Sequence, residues 1–287
     1  MWFPFYYFYY KLYLLKCQYK GEKMNLFDSH SHYNDEKFDI DREQIIKETL
    51  VNGVSNFIVA GYNIEGSKKA VRIAENYEQV YTTAGISPND VEDIKYDVDE
   101  SISQIEEIAK NKKVVAIGEI GLDYYWNKEN KELQKEVFIK QIELANKLDL
   151  PIVIHTRDAF VDTIEILKQN NVNKKGIFHC CPLNQELIKE AIKLGYYISL
   201  SGVITFKNAK NVEEILSLIP ADKLLIETDS PYLSPEPFRG TRNNSMNVKY
   251  VAEKIANLKN KTTEEIAELT NQNAKRIFSI KTENYLT

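Results

Sequence analysis

The chain contains four histidines, His30, His32, His155 and His179, and each stands at or just past the end of a strand-like apolar run. Two carboxylates close similar runs: Glu119 in Val114-Val115-Ala116-Ile117-Gly118-Glu119, and Asp229 in Leu224-Leu225-Ile226-Glu227-Thr228-Asp229. Residues two apart on an extended segment face the same side, so His30 and His32 can point at one ion. Taken singly, each of these residues has an ordinary explanation. An HxH pair is a weak signal, a lone histidine is more often a simple polar group, and Glu119 could cap a helix or pair with a cation. Taken together, six ligand-type side chains at one level of five strands imply a metal site. Burying so many polar groups without partners would cost a few kcal/mol each.

Six nitrogen and oxygen donors exceed the three protein ligands that one catalytic ion needs beside its open positions. The natural division is two divalent ions with a bridging carboxylate. Two ions about 3.5–4 Å apart can activate a water between them and neutralise charge on a hydrolysed oxyanion. The set lacks thiolates, which leaves Zn²⁺, Mn²⁺ and Mg²⁺ as the expected metals. Asp229 suits a double role, as ligand and as acceptor of a proton from the attacking water. Cys180 and Cys181 follow His179, but adjacent strand residues point oppositely, so packing is their expected role. Arg157, two residues beyond His155, is the best candidate for gripping a phosphate; the alternative is a rim salt bridge with Asp158 or with a helix. Arg239 and Arg242, in the loop after the last strand, are weaker candidates for the same task.

These side chains need elements that bring them together. Strands are expected at Asn25–Asp28, Asn56–Gly61, Val80–Gly85, Val114–Glu119, Pro151–His155, Gly176–His179, Tyr196–Ser199 and Leu224–Asp229, with helical periodicity between them. Asp41 to Leu50 carries Ile45, Ile46 and Leu50 and ends before Gly53, a C′ glycine. Glu132 to Leu148 aligns Val137, Phe138, Ile142, Ala145 and Leu148, and Thr262-x-x-Glu265 is a capping box opening a last helix to about Phe278. Eight near-continuous apolar strands alternating with helices imply a parallel sheet closed as a single-domain (β/α)8 TIM barrel, with the active site at the C-terminal strand ends. An open doubly wound sheet would not easily bring strands one, four, five, six and eight to one point. The domain is expected to span residues 24–280, followed by a short tail, 281–287.

The 287 residues are 43% hydrophobic and carry a net charge of −5, which argues against a nucleic-acid coat protein. A nuclease is compatible with that balance, because bound metal supplies local positive charge. Cys17, Cys180 and Cys181 are odd in number, so no disulfide framework is expected and reduced thiols point to the cytoplasm. Residues 1–23 are crowded with Phe and Tyr, lack signal-peptide architecture and are short of a membrane span. Gly21-Glu22-Lys23-Met24 back-translates to a purine-rich ribosome-binding sequence before a start codon. The expectation is an upstream extension, with the protein starting at Met24.

The motifs Asp28-Ser29-His30-Ser31-His32, Gly118-Glu119-Ile120-Gly121-Leu122-Asp123, Ile154-His155-Thr156-Arg157, Phe178-His179-Cys180 and Glu227-Thr228-Asp229-Ser230-Pro231-Tyr232-Leu233 resemble the TatD-like metal-dependent hydrolases. Leu200 to Asn208 and Pro237-Phe238-Arg239-Gly240 extend the likeness, which runs from about Met24 to Phe278. The resemblance implies a two-metal barrel of the amidohydrolase-like superfamily, active on DNA phosphodiesters. It assigns His30, His32, Glu119 and Asp229 to one ion, and Glu119, His155 and His179 to the second, with Glu119 as the bridge. The chain departs from the family pattern at Cys181-Pro182-Leu183, where Phe and Ser-Gly are common. It departs again at Thr241 and Asn244-Ser245, where a basic residue and Glu-Pro are common; both loops would shape the substrate pocket.

The expected activity is a 3′→5′ exodeoxyribonuclease acting on single-stranded or frayed DNA ends, in a chain expected to be monomeric and without membrane contact. The same pocket could instead hydrolyse carboxylic esters or amides, as a lactonase or an aminoacyl-tRNA deacylase does. A metal-stabilised scaffold without catalysis is the third and weakest reading.

Overall fold

The computed structural model describes residues 24–281; the proposed upstream extension 1–23, with Cys17, and the end of the tail lie outside the described residues. Eight strands form one sheet in chain order: β1 (Leu26–Ser31), β2 (Val54–Val59), β3 (Val80–Ala84), β4 (Val114–Asp123), β5 (Ile152–Arg157), β6 (Gly176–Phe178), β7 (Tyr197–Leu200) and β8 (Leu224–Ile226). Every neighbouring pair runs parallel. The last strand returns to the first through a parallel bridge between Ser31 and Ser230. Two backbone bonds tie this seam: Asp229 N donates to His30 O at 3.0 Å and His32 N to Ser230 O at 2.6 Å. The expected (β/α)8 barrel is therefore the fold.

The helices α1 (Arg42–Val51), α2 (Ile64–Glu75), α3 (Val98–Ala109), α4 (Lys131–Leu148), α5 (Phe160–Gln169), α6 (Gln185–Lys193) and α7 (Val212–Leu218) follow strands one to seven. Two more, α8 (Val248–Lys259) and α9 (Thr263–Ile277), follow β8. Apolar side chains of the outward strand faces and inward helix faces form the main core. A second cluster joins Phe27, Ile58, Val115, Val153, Ile177, Tyr197 and Leu225 to Ala274, Ile277 and Phe278. It draws on strands all round the sheet, so it fills the barrel, and the end of α9 closes its floor. Among the described residues no helix is long and apolar enough to cross a membrane.

Local rules explain the boundaries. Gly53 adopts φ 94° just past α1, as its C′ position requires. Thr262 Oγ1 accepts from Glu265 N while Glu265 returns a bond to Thr262 N, so α9 opens on the expected capping box. The strand ends differ from expectation, three of them by three or four residues; β1 runs on past Asp28 to Ser31. β4 does not stop at Glu119 but continues to Asp123, which pairs with Arg157 of β5. β8 ends at Ile226, so Glu227 to Asp229 leave the strand before the seam is made.

Candidate metal centre

Strand β1 and the residue beyond it deliver His30 and His32, whose Nε2 atoms approach to 3.1 Å. Strand β4 delivers Glu119, whose backbone N donates to Gly61 O at 2.6 Å. Strand β5 supplies His155, and His179 follows β6 with its backbone N donating to Ile154 O at 3.0 Å. Asp229 sits beyond β8 at φ 56°, a left-handed conformation that aspartate tolerates better than most residues. Asn243 steadies that loop by donating to Thr228 O at 3.0 Å and Tyr232 O at 2.7 Å. All six expected ligands therefore converge.

The two oxygens of Glu119 face different histidines. Its Oε2 lies 3.4 Å from His30 Nε2 and 3.7 Å from His32 Nε2. Its Oε1 lies 2.9 Å from His155 Nδ1 and 3.4 Å from His179 Nε2. Asp229 Oδ1 lies 3.2 Å from His32 Nε2 and 3.8 Å from His30 Nε2. Ligands on a metal with bonds of about 2.0–2.2 Å are spaced roughly 3.0–3.5 Å apart, so these contacts fit coordination spheres. Two overlapping triads, His30–His32–Asp229 and His30–Glu119–His179, have donor atoms within 4.8 Å of one another. The donors are nitrogen and oxygen throughout, and among the described residues no Lys or Arg pairs with either carboxylate. These residues fit divalent cations.

Protonation in the metal-free protein follows the same contacts. Burial disfavours the charged form of Glu119, yet His179, His155 and His30 outweigh it and hold the carboxyl well below its ordinary range. Burial likewise opposes ionised Asp229, but His32 brings its pKa down. Burial alone would discharge His32, His155 and His179; Asp229, Asp123 with Glu119, and Glu119 respectively reverse this and raise all three. His30 is the exception: burial and the neighbouring His179 lower it.

Three carboxylates that sequence reasoning left out of the site stand behind the ligands. Asp123 Oδ2 accepts from His155 Nε2 at 2.9 Å, which leaves Nδ1 as the atom facing Glu119. Glu227 Oε1 accepts from Cys180 N at 2.6 Å and lies 3.4 Å from His179 Nδ1. Asp28 accepts from Thr228 N at 2.9 Å and from Thr228 Oγ1 at 2.6 Å, tying β1 to the Asp229 loop, and burial pushes its carboxyl up to about 7. Asp28 lies two residues from His30 and Asp123 four from Glu119, and Glu227 two from Asp229, but spacing alone does not set these carboxylates apart from the many others in the chain.

The candidate phosphate-binding arginines separate. Arg157 is exposed and lies 4.0 Å over the Tyr125 ring and 5.4 Å from Trp126, in place of the alternative salt bridge with Asp158. Arg239 stacks 3.7 Å over Phe206 and donates to Ser234 O. Arg242 is committed to Asp41 at 2.8 Å and to Lys37 O at 2.6 Å, so it is a strut of the loop after β8. Cys181 is buried, and Cys180 Sγ lies 3.2 Å from Ser201 Oγ; burial pushes both thiols up.

A family model described as TatD related DNase matches residues 27–279. The metal-dependent hydrolase YabD of Bacillus subtilis is 46% identical over 256 residues, covering 89% of this chain and 99% of its own. The metal-dependent hydrolase YcfH of Escherichia coli is 36% identical over 261 residues, covering 90% and 97%. Among solved structures, the TatD homolog YjjV of Escherichia coli superposes with a TM-score of 0.84 at 27% identity, over 91% of this chain and 100% of its own.

Proposed function

Because the chain belongs to the TatD-related DNase family of metal-dependent hydrolases, we propose that it cleaves DNA phosphodiesters from the 3′ end, using two divalent ions held by His30, His32, Glu119, His155, His179 and Asp229. The observation that carries this reading is the division of Glu119, with one oxygen toward His30 and His32 and the other toward His155 and His179. So placed, Glu119 could be shared between two ions. When bound, such ions supply an activated water and neutralise charge on the phosphate oxygens.

The chain's own residues do the rest. Asp229, held below its ordinary pKa by His32, is ionised and takes the proton of the attacking water. Attack on phosphorus breaks the bond to O3′; the terminal nucleotide leaves with its 5′-phosphate and the proton passes to the new 3′-hydroxyl. Asp123 fixes the ring of His155 by accepting from its Nε2 at 2.9 Å, and Glu227 Oε1 lies 3.4 Å from His179 Nδ1. Arg157 has no carboxylate partner among the described residues and is the candidate to position the phosphate.

The test uses metal-stripped protein with 3′- and 5′-labelled single-stranded DNA, with and without Mg²⁺, Mn²⁺ or Zn²⁺. The expected result is metal-dependent laddering from the 3′ end. An Asp229→Ala variant should lose about 10²–10⁴-fold in kcat, the usual contribution of a positioned proton acceptor. No cleavage above the variant's background with any metal would sink the phosphodiesterase reading. Release of an amino acid from charged tRNA would then identify an ester hydrolase in the same pocket.

A further inference from the structure

Five aromatic side chains among the described residues are exposed: Tyr96, Tyr125, Trp126, Tyr232 and Phe238. Each lies in a segment leading from a strand to the next helix. Tyr96 lies between β3 and α3, Tyr125 and Trp126 between β4 and α4, and Tyr232 and Phe238 between β8 and α8. The exposed rings are therefore confined to the end of the barrel that carries the histidines. A large ring gains by leaving water, so their concentration on one face fits a ligand that itself presents flat π faces.

Trp126 is fixed at the edge of the pocket. Its backbone N and that of Tyr125 both donate to Asp123 Oδ1 at 2.9 Å, while Asp123 Oδ2 holds His155 Nε2 at 2.9 Å. One buried carboxylate thus positions both a pocket histidine and the aromatic pair. Tyr125 and Trp126 meet edge to face, with centroids 4.7 Å apart at 89°, and the Arg157 guanidinium backs them. Trp126 remains 68% exposed, which leaves a ring face open. A similar unit borders His32: the Tyr232 ring lies 6.5 Å from it and carries Lys37 Nζ at 4.1 Å. A ring with a cation beside it, repeated at both ends of the metal pocket, matches a chain of alternating bases and phosphates.

We propose that Trp126, backed by Tyr125 and Arg157, is a stacking platform for an unpaired nucleobase adjacent to the scissile phosphate, with Tyr232 and Lys37 forming a second platform on the His32 side. The assignment rests on the phosphodiesterase reading of the same pocket. It gives the expected preference for single-stranded and frayed ends a physical basis: a base stacked within an intact duplex has no free face to offer the platform. Stacking is tolerant of sequence, because every base has a π face.

The chain has two tryptophans, Trp2 and Trp126, so Trp2→Phe in the full chain makes Trp126 the sole tryptophan emitter. This metal-loaded protein is titrated with a phosphorothioate single strand, which resists hydrolysis, and with an abasic strand of equal length and charge. The expected result is saturable quenching of Trp126 by the base-bearing strand and none by the abasic one. Adding Trp126→Ala should weaken binding of the base-bearing strand roughly tenfold, within the range for loss of one base stack. The abasic affinity, read by strand anisotropy, should stay within about twofold, a selectivity that misfolding would not produce. Equal quenching by both strands, or equal weakening of both, overturns the platform. Metal-dependent DNA cleavage without Trp126 quenching removes the platform and leaves the phosphodiesterase standing. Absence of DNA cleavage with every metal removes both.

Discussion

Asp123 sets which atom of His155 faces Glu119, and so which one would meet a metal. Its Oδ2 accepts the Nε2 proton of His155, so the lone pair of Nδ1 points toward Glu119 and His179. Asp123→Asn offers an amide where the carboxylate stood and weakens the preference for that tautomer; metal affinity should fall about 10–100-fold, as for other partners of metal-bound histidines. Competition with a chromogenic chelator measures this without reference to turnover, and unchanged affinity would contradict the assignment. The same ligands give metal uptake a pH dependence of definite sign. In the metal-free protein His32, His155 and His179 hold protons above the ordinary 6.5, and each must be neutral to bind. Affinity should therefore rise with pH through a window beginning above 6.5 and fall below it. Proton release on binding should appear as a buffer-dependent calorimetric enthalpy. His30, whose pKa is lowered, adds no proton there. At this scale the metal-facing set was legible because histidine is scarce in the chain and strand alternation is simple. Asp123, Glu227 and Asp28 were not singled out, since a carboxylate in an acidic chain carries no label until its partner is seen. The aromatic seat of Arg157 depends on how the loop after β4 turns, which no local pattern encodes.

Strand β4 shows why an element can be found and its end misjudged. Gly118 and Gly121 flank Glu119 and look like punctuation, yet the strand runs through both. Gly121 has φ 138°, and a Cβ there would sit 2.0 Å from His155 O, so the site needs glycine for a close approach between strands. Gly121→Ala should disorganise the β4–β5 contact that presents both Glu119 and His155, giving a large fall in Tm or insoluble protein. Thr262→Ala, far from the pocket, removes one half of a capping box and should cost about 1 kcal/mol. That corresponds to roughly 2–4 °C in Tm for a domain of this size. Thermal unfolding of the two variants side by side separates a cap from a steric requirement, and a Gly121→Ala protein as stable as Thr262→Ala would refute the steric account. The capping box could be read from four residues because both of its bonds are local. The end of β8 could not, because Thr228 and Asp229 are drawn off the strand by bonds to β1, in the case of Thr228 to a residue 200 positions away in the chain.

For the molecule as a whole, eight apolar runs alternating with helical periods pointed to a parallel sheet, and ligands at strands one, four, five, six and eight favoured the closed barrel over an open sheet. The pocket's occupant stabilises that barrel by mass action. Ions at a hundred times their Kd add about 2.7 kcal/mol per site. Chelation should therefore lower Tm by about 5 °C or more, recovering on addition of metal. A Tm insensitive to chelator would mean that the six ligands hold nothing in solution.

The seam between β1 and β8 has a further consequence, which concerns time. His30 and Asp229 share a backbone bond there, and Asp28 reaches across to Thr228, so the first and last strands meet at the ligands themselves. Contacts between such distant positions are costly in chain entropy and form late. During synthesis the leading strand must wait, with both of its histidines, until the eighth has been made. The group of His30, His32 and Asp229 cannot be assembled before β8 is in place, so an ion captured there would be a chemical record that the barrel has closed.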